Sequence, residues 1–429
     1  MKILIKNCTA LLMNGNDEII ENISIGIEGD KIKYIGKIPN DFNADKTIDA
    51  TNKLVMPGLI NAHTHIPMSL FRNYADDIPF WEWLTERIWP LEKRLTGEHV
   101  YWGSMLSIAE MIMSGITSFS DMYFLTDGIP RAVEETGVRG VLSKGLVGKD
   151  EDDNREFEEI REFIKIWNEK ADGRITTRIA PHAPYSCLPG YMRRAIELAK
   201  EYNLGIHVHL SESKKEIEDS YKAFGKSPIQ HVNDIGLFEL PTLAAHCVYV
   251  SDEDIKILAE KNVCVVNNPG SNLKLGNGFA PVDKMLKSGV NLALGTDGSA
   301  SNNNLNMFEE INLAALINKG INTDPTSVPA STAIKMATIN GAKGIGLESE
   351  IGSIEINKKA DIILIDLNKP HLYPRYNLMS SLAYSVQASD VDTVIVDGKI
   401  LMENRELKTI DIEKVIYNSE KMAKDLIER

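Results

Sequence analysis

Short apolar runs of strand length recur along the middle of the chain, with helical stretches between them. That alternation limits the possible folds more than any other feature. Val55, Leu59 and Ile60 form the first run, around Pro57-Gly58. Others follow near Ile116–Asp121, Val138–Ser143, Ile175–Ala180, Leu204–Leu210, Thr242–His246, Val263–Asn267 and Val290–Thr296. Helical stretches intervene at Glu98–Ser114, which Gly115 stops, and at Tyr191–Tyr202, Asp252–Lys261 and Val282–Ser288. Strand–helix alternation is the pattern of a parallel sheet with helical crossovers. Eight such strands favour an α/β fold of the (β/α)8 TIM-barrel type over an open doubly wound sheet. A glycine-rich dinucleotide fingerprint and a Walker loop are both missing, so a nucleotide-cofactor fold lacks support.

The two ends read differently. Ile23–Ile27 and Lys31–Ile35 alternate around Gly29-Asp30, and Thr393–Val396 meets Lys399–Met402 across Asp397-Gly398, both hairpin signals. Neither end holds enough strands for a stable sheet alone, so both are expected to build one small β-sandwich domain. The expected organisation is 1–56 and 346–410 for that domain, 57–345 for the barrel and 411–429 for a terminal helix. A net charge of −14, spread along the chain, argues against a nucleic-acid partner. Cys8, Cys187, Cys247 and Cys264 stand far apart, which suggests neither a disulfide framework nor a thiolate zinc site. No stretch reads as a signal peptide or a membrane span, so the cytoplasm is the expected compartment.

Barrel enzymes keep their chemistry where strands end at the carboxyl face. His63 and His65 end the first strand, and being two apart they share a face. His182 follows the fourth strand, His209 ends the fifth with Glu212 three residues on, His246 ends the sixth and Asp297 ends the eighth. Five of the nine histidines are thus spent at strand ends. A hydrogen-bonded core histidine is the plainer account of any one of them; as a set they predict a metal site, because neutral imidazole is the commonest metal ligand. His207 shares a face with His209 but lies one layer deeper, and is expected to be a core histidine.

His63-x-His65, His209-x-x-Glu212, His246 and Asp297 resemble the amidohydrolase superfamily pattern. Asn268–Leu275 and Gly295–Asn303 are similar to its aminohydrolase and chlorohydrolase branch. Trp83, Trp89-Pro90-Leu91-Glu92 and Pro181–Tyr185 resemble the deaminases of 5′-methylthioadenosine, S-adenosylhomocysteine and 5′-deoxyadenosine. Asn306 departs from the aspartate more usual there, and the acidic region around Arg155 aligns poorly.

The resemblance implies one divalent ion, zinc first and iron or manganese as substitutes, held by His63, His65, His209 and Asp297. It implies hydrolytic deamination of the adenine ring, with Asp297 taking a proton from water, His246 directing that water and Glu212 protonating a ring nitrogen. Glu92 would accept from the ribose hydroxyls, His182 and Trp83 would line the pocket, and Arg155 would meet a carboxylate tail. An ordinary surface arginine is an equal account of Arg155. Other superfamily members bridge two metals with a lysine on the fourth strand; here the only basic residue in that strand is Arg178, which points to a single metal. The resemblance also implies a homo-oligomer, a tetramer among the options. An aminohydrolase of a free base or triazine is the alternative enzyme reading, and a silent binding protein the non-enzymatic one. The segment Phe71–Leu95 is expected to be a long loop in which Trp81 and Trp89 act as staples.

Overall fold

The computed structural model describes residues 1–15, 18–124, 128–148 and 154–428. Its centre is an eight-stranded sheet in sequence order: Leu59–Thr64, Ile116–Tyr123, Arg139–Leu146, Ile175–Pro181, Ile206–Leu210, Thr242–His246, Cys264–Asn267 and Asn291–Leu294. Neighbouring strands pair in parallel throughout, with helices on the crossovers. The last strand returns to the first. The Asp297 N–H donates to the His63 carbonyl at 3.0 Å, and the Thr296 N–H to Asn61 Oδ1 at 3.0 Å. The sheet is therefore a barrel, and its closure brings residues 63 and 297 side by side.

Both ends of the chain enter one nine-stranded sheet. Lys53–Pro57, from the amino-terminal part, pairs antiparallel with Ile362–Asp366 from the carboxyl-terminal part, Val55 opposite Leu364. Alternation sorts the side chains. Ile3, Ile5, Ile27, Ile48, Leu364 and Ile395 fill a core that these strands wrap, while Leu54, Met56, Ile363 and Val394 face the barrel's helices. The chain passes from this sheet into the barrel at Pro57-Gly58. A Cβ at Gly58 would lie 2.0 Å from Thr117 Oγ1, so only glycine fits. A buried ion network, Arg139 with Asp361 and Asp397, ties the two units together.

The helix expected over 98–114 runs Gly97–Met113, and Gly115 at φ +88° ends it. The terminal helix is Ile412–Glu428. Asn306 accepts from the Phe308 N–H at 3.1 Å as an N-cap, a task asparagine performs as well as aspartate. Among the described residues no helix is long and apolar enough to cross a membrane.

One expectation is corrected. The segment 71–95 is largely wound: a 3-10 turn at Ile66–Phe71 precedes it, then come Phe80–Glu82, a π-helical turn at Trp83–Ile88, and Trp89–Glu92. The wide turn closes with the Trp89 N–H on the Leu84 carbonyl, one residue before Pro90, which has no N–H to continue it.

Candidate active site

The strand ends converge. His63 Nε2 lies 3.4 Å from Asp297 Oδ1, His65 Nε2 3.3 Å from the same oxygen, and His209 Nε2 3.3 Å from His65 Nε2. His246 Nε2 stands 3.8 Å from Glu212 Oε2 and 4.0 Å from Asp297 Oδ2. Two sets of candidate ligand atoms share His63: one with His65 and Asp297, one with His209 and His246.

The hydrogen bonds around these rings decide which nitrogens are bare. His65 Nδ1 faces the Met122 carbonyl and His209 Nδ1 the His182 carbonyl. A carbonyl only accepts, so both Nδ1 atoms carry the proton and both Nε2 atoms present lone pairs. Two lone pairs 3.3 Å apart repel unless a cation sits between them. His63 Nδ1 is bonded to His207 Nε2, and His63 Nε2 is buried with no hydrogen-bond partner. An orphaned nitrogen, converging lone pairs and a carboxylate fit a divalent cation with nitrogen and oxygen ligands.

Asp297 is held in place for that task. Its Oδ2 accepts from Ser271 Oγ at 2.6 Å and Ser301 Oγ at 2.9 Å, and its Oδ1 from the Gly298 N–H at 2.8 Å. Burial alone would push this carboxyl up, yet it lies well below the usual carboxylate range. Burial pushes His63 down to about 4 and His182 to about 3, so both rings are neutral near pH 7. Glu212 moves the other way. Burial and the Asp297 charge raise it well above the usual range, while Asn277 Nδ2, donating to Oε1 at 2.9 Å, opposes the rise. A buried acid that keeps its proton, beside an ionised carboxylate and neutral imidazoles, is a set suited to moving protons. Ser211, His246 and Asp297 all adopt left-handed backbone, at φ +55°, +74° and +59°, costly conformations that concentrate at functional sites.

These groups open into a cleft walled by both polar and apolar side chains. His182, Glu92 and Trp83 line it, and so does Trp89, which had been expected only to staple the loop. Trp81 packs edge-on against Tyr185. Burial raises Glu92 to about 7, against the opposing Tyr123 hydroxyl. Arg155 is not brought here. It begins the helix Arg155–Trp167, its side chain is 85% exposed, and it pairs with Glu159 one turn on. Arg178 lies away from the cleft, its guanidinium donating to the Gly344 and Ile206 carbonyls, and Lys144 is taken up by Glu159. His207 is a buried core histidine as expected, but it also orients His63. Tyr123 and Asn277 carry no mark in local pattern, apart from the glycines that flank Asn277, whereas Ser271 and Ser301 lie within the Asn268–Leu275 and Gly295–Asn303 motifs.

The chain resembles known proteins along its full length. A protein named 5-methylthioadenosine/S-adenosylhomocysteine deaminase from Thermoanaerobacter pseudethanolicus is 58% identical, all of each chain being covered. One of the same name from Caldanaerobacter subterraneus is 56% identical over all of this chain and 99% of its own. The crystal structure of an adenosine deaminase from Xanthomonas campestris with bound zinc superposes with a TM-score of 0.95 at 32% identity, over 100% of this chain and 99% of that one. Residues 54–401 match the family described as the amidohydrolase family, and the chain belongs to it.

Proposed function

We propose that this protein is a metal-dependent hydrolytic deaminase of 5′-modified adenosines, converting the adenine ring to hypoxanthine and releasing ammonia. The convergence of unprotonated Nε2 atoms on the Asp297 carboxylate, with protonated Glu212 beside it, carries the reading. The names of the relatives supply the substrate class. His63, His65, His209 and Asp297 would hold the ion, with zinc proposed on the donor set and on the zinc-bound relative. When bound, such an ion supplies water activated for attack at neutral pH.

The chain's own groups then divide the work. Asp297 accepts a proton from the attacking water, and His246, its Nδ1–H held by Asn272 Oδ1 at 2.9 Å, directs that water. Glu212 gives its proton to a ring nitrogen as the bond to C6 forms. It takes up the proton that Asp297 removed from the water and delivers it to the departing amine, which leaves as ammonia. As the C6 carbonyl forms, the second proton of the attacking oxygen passes by way of Asp297 back to Glu212 and restores both groups. Glu92 accepts from the ribose hydroxyls, and His182 and Trp83 hold the nucleoside against the cleft wall.

Ammonia release from 5′-deoxyadenosine, 5′-methylthioadenosine, S-adenosylhomocysteine and adenosine tests this, with kcat/KM compared across the four. Turnover that stops on chelation and returns with zinc is expected. Absence of ammonia from all four, in zinc-loaded protein, overturns the proposal.

A further inference from the structure

Glu212 sits on a short turn between the fifth barrel strand, Ile206–Leu210, and the helix Lys214–Phe224. Ser213 caps that helix, its Oγ accepting from the Glu216 N–H at 3.3 Å. In an ordinary capping box the glutamate at this position reaches back to the cap residue's own N–H. Here it reaches further. Glu216 Oε1 accepts from the Ser211 N–H at 2.9 Å and Oε2 from the Glu212 N–H at 2.8 Å. The carboxylate is 2% exposed, and burial pushes it up to about 7 against the two N–H groups that favour its charge. An exposed carboxylate would serve a helix end without that penalty.

The segment it grips has to be held. Ser211 is a non-glycine residue at φ +55°, a conformation that persists only where its surroundings impose it. Its carbonyl accepts from the Tyr249 N–H at 2.9 Å, and Asn277 holds one oxygen of the Glu212 side chain. Glu216 supplies the remaining anchor, on the backbone of Glu212 itself.

We propose that Glu216 is a positioning residue for Glu212. Its two oxygens fix the left-handed turn that aims the Glu212 carboxyl into the cleft. The inference rests on Glu212 being the proton-shuttling acid of the proposed deaminase.

Glu216→Gln keeps the size and one acceptor oxygen but sets an NH2 against the second backbone N–H. Glu216→Ala removes both acceptors. For Glu216→Gln, kcat falls roughly 10- to 100-fold, the range for a catalytic group displaced by about 1 Å. KM and bound zinc stay within about twofold, because substrate and metal contacts are untouched. Combined with Glu212→Asp, whose carboxyl is already misplaced, Glu216→Gln costs less than in the native background, since residues acting as a unit are non-additive. Full activity in Glu216→Gln, a loss seen mainly in KM or zinc content, or equal losses in both backgrounds overturns the inference. Native protein that releases no ammonia overturns this inference and the proposed function together. Native turnover with additive losses overturns this inference alone.

Discussion

His63 Nδ1 lies 2.8 Å from His207 Nε2, and His207 Nδ1 lies 3.4 Å from Ser120 Oγ, so a proton relay one layer below the cleft sets the tautomer of a metal-ligand candidate. With His207 accepting, the His63 proton stays on Nδ1 and Nε2 remains bare toward Asp297. His207→Ala removes that acceptor. Zinc affinity is expected to fall about 10- to 100-fold, the usual cost of losing a partner behind a ligand. His207→Gln, whose carbonyl oxygen can accept the same proton, should recover part of the loss. Competition against a chromophoric chelator measures both, and unchanged affinity in the alanine variant contradicts the relay.

Glu92 lines the cleft with its carboxyl raised to about 7 by burial. Glu92→Ala should raise KM for the four nucleosides by about 10- to 100-fold, the worth of one or two hydrogen bonds to a charged acceptor. The same change should leave kcat/KM for free adenine unaltered. Only the ionised carboxylate accepts from both hydroxyls, so the native KM for nucleosides should fall as pH rises through about 7.

The same residue affects stability, with a definite sign. A carboxyl at about 7 in the fold and 4.5 when unfolded binds more protons in the folded state between those values. Its favourable contribution is complete below the unfolded value and is lost as pH rises through the folded one. Glu92→Gln should therefore raise the melting temperature at about pH 8 and leave it unchanged at about pH 4. A calorimetric scan at both values checks it, and a shift confined to acid pH contradicts it.

Asn277 donates to Glu212 and opposes the rise of its carboxyl. A donor to the charged form lowers a carboxyl's pKa, so its removal raises it. In the proposed mechanism Glu212 acts in its protonated form. Asn277→Ala should consequently move the alkaline limb of the kcat profile to higher pH. A limb that stays in place, or moves down, would show that Asn277 does not act on Glu212.

Arg155 gives the opposite kind of prediction. Its exposed pair with Glu159 has the geometry of a surface contact worth little. Arg155→Ala should leave kcat/KM for S-adenosylhomocysteine within about twofold of native. A selective loss with that substrate alone would return the residue to the site.

Much of this molecule is legible in the order of its residues. Period-two alternation and the recurring strand–helix pattern follow from local sterics and the burial of apolar faces, so the eight barrel strands and the terminal hairpins could be placed within a few residues. The parity of His63 and His65, and the position of His209, His246 and Asp297 at strand ends, mark the ligand candidates for the same reason. Other features depend on how the closed barrel packs. His63 meets His207 across 144 residues and Asn277 meets Glu212 across 65, and no local pattern encodes those distances. Tertiary packing left Arg155 out of the cleft lining. The wide turn at Trp83–Ile88 before Pro90 and the grip of Glu216 on the Ser211 and Glu212 N–H groups are short-range contacts that hydrophobic periodicity does not reveal. Local chemistry chose the residues able to bind a metal and carry a proton. Which partner steadies His63 and the Glu212 side chain was decided by closure of the barrel, because His207 and Asn277 come from a strand and a loop distant in the chain.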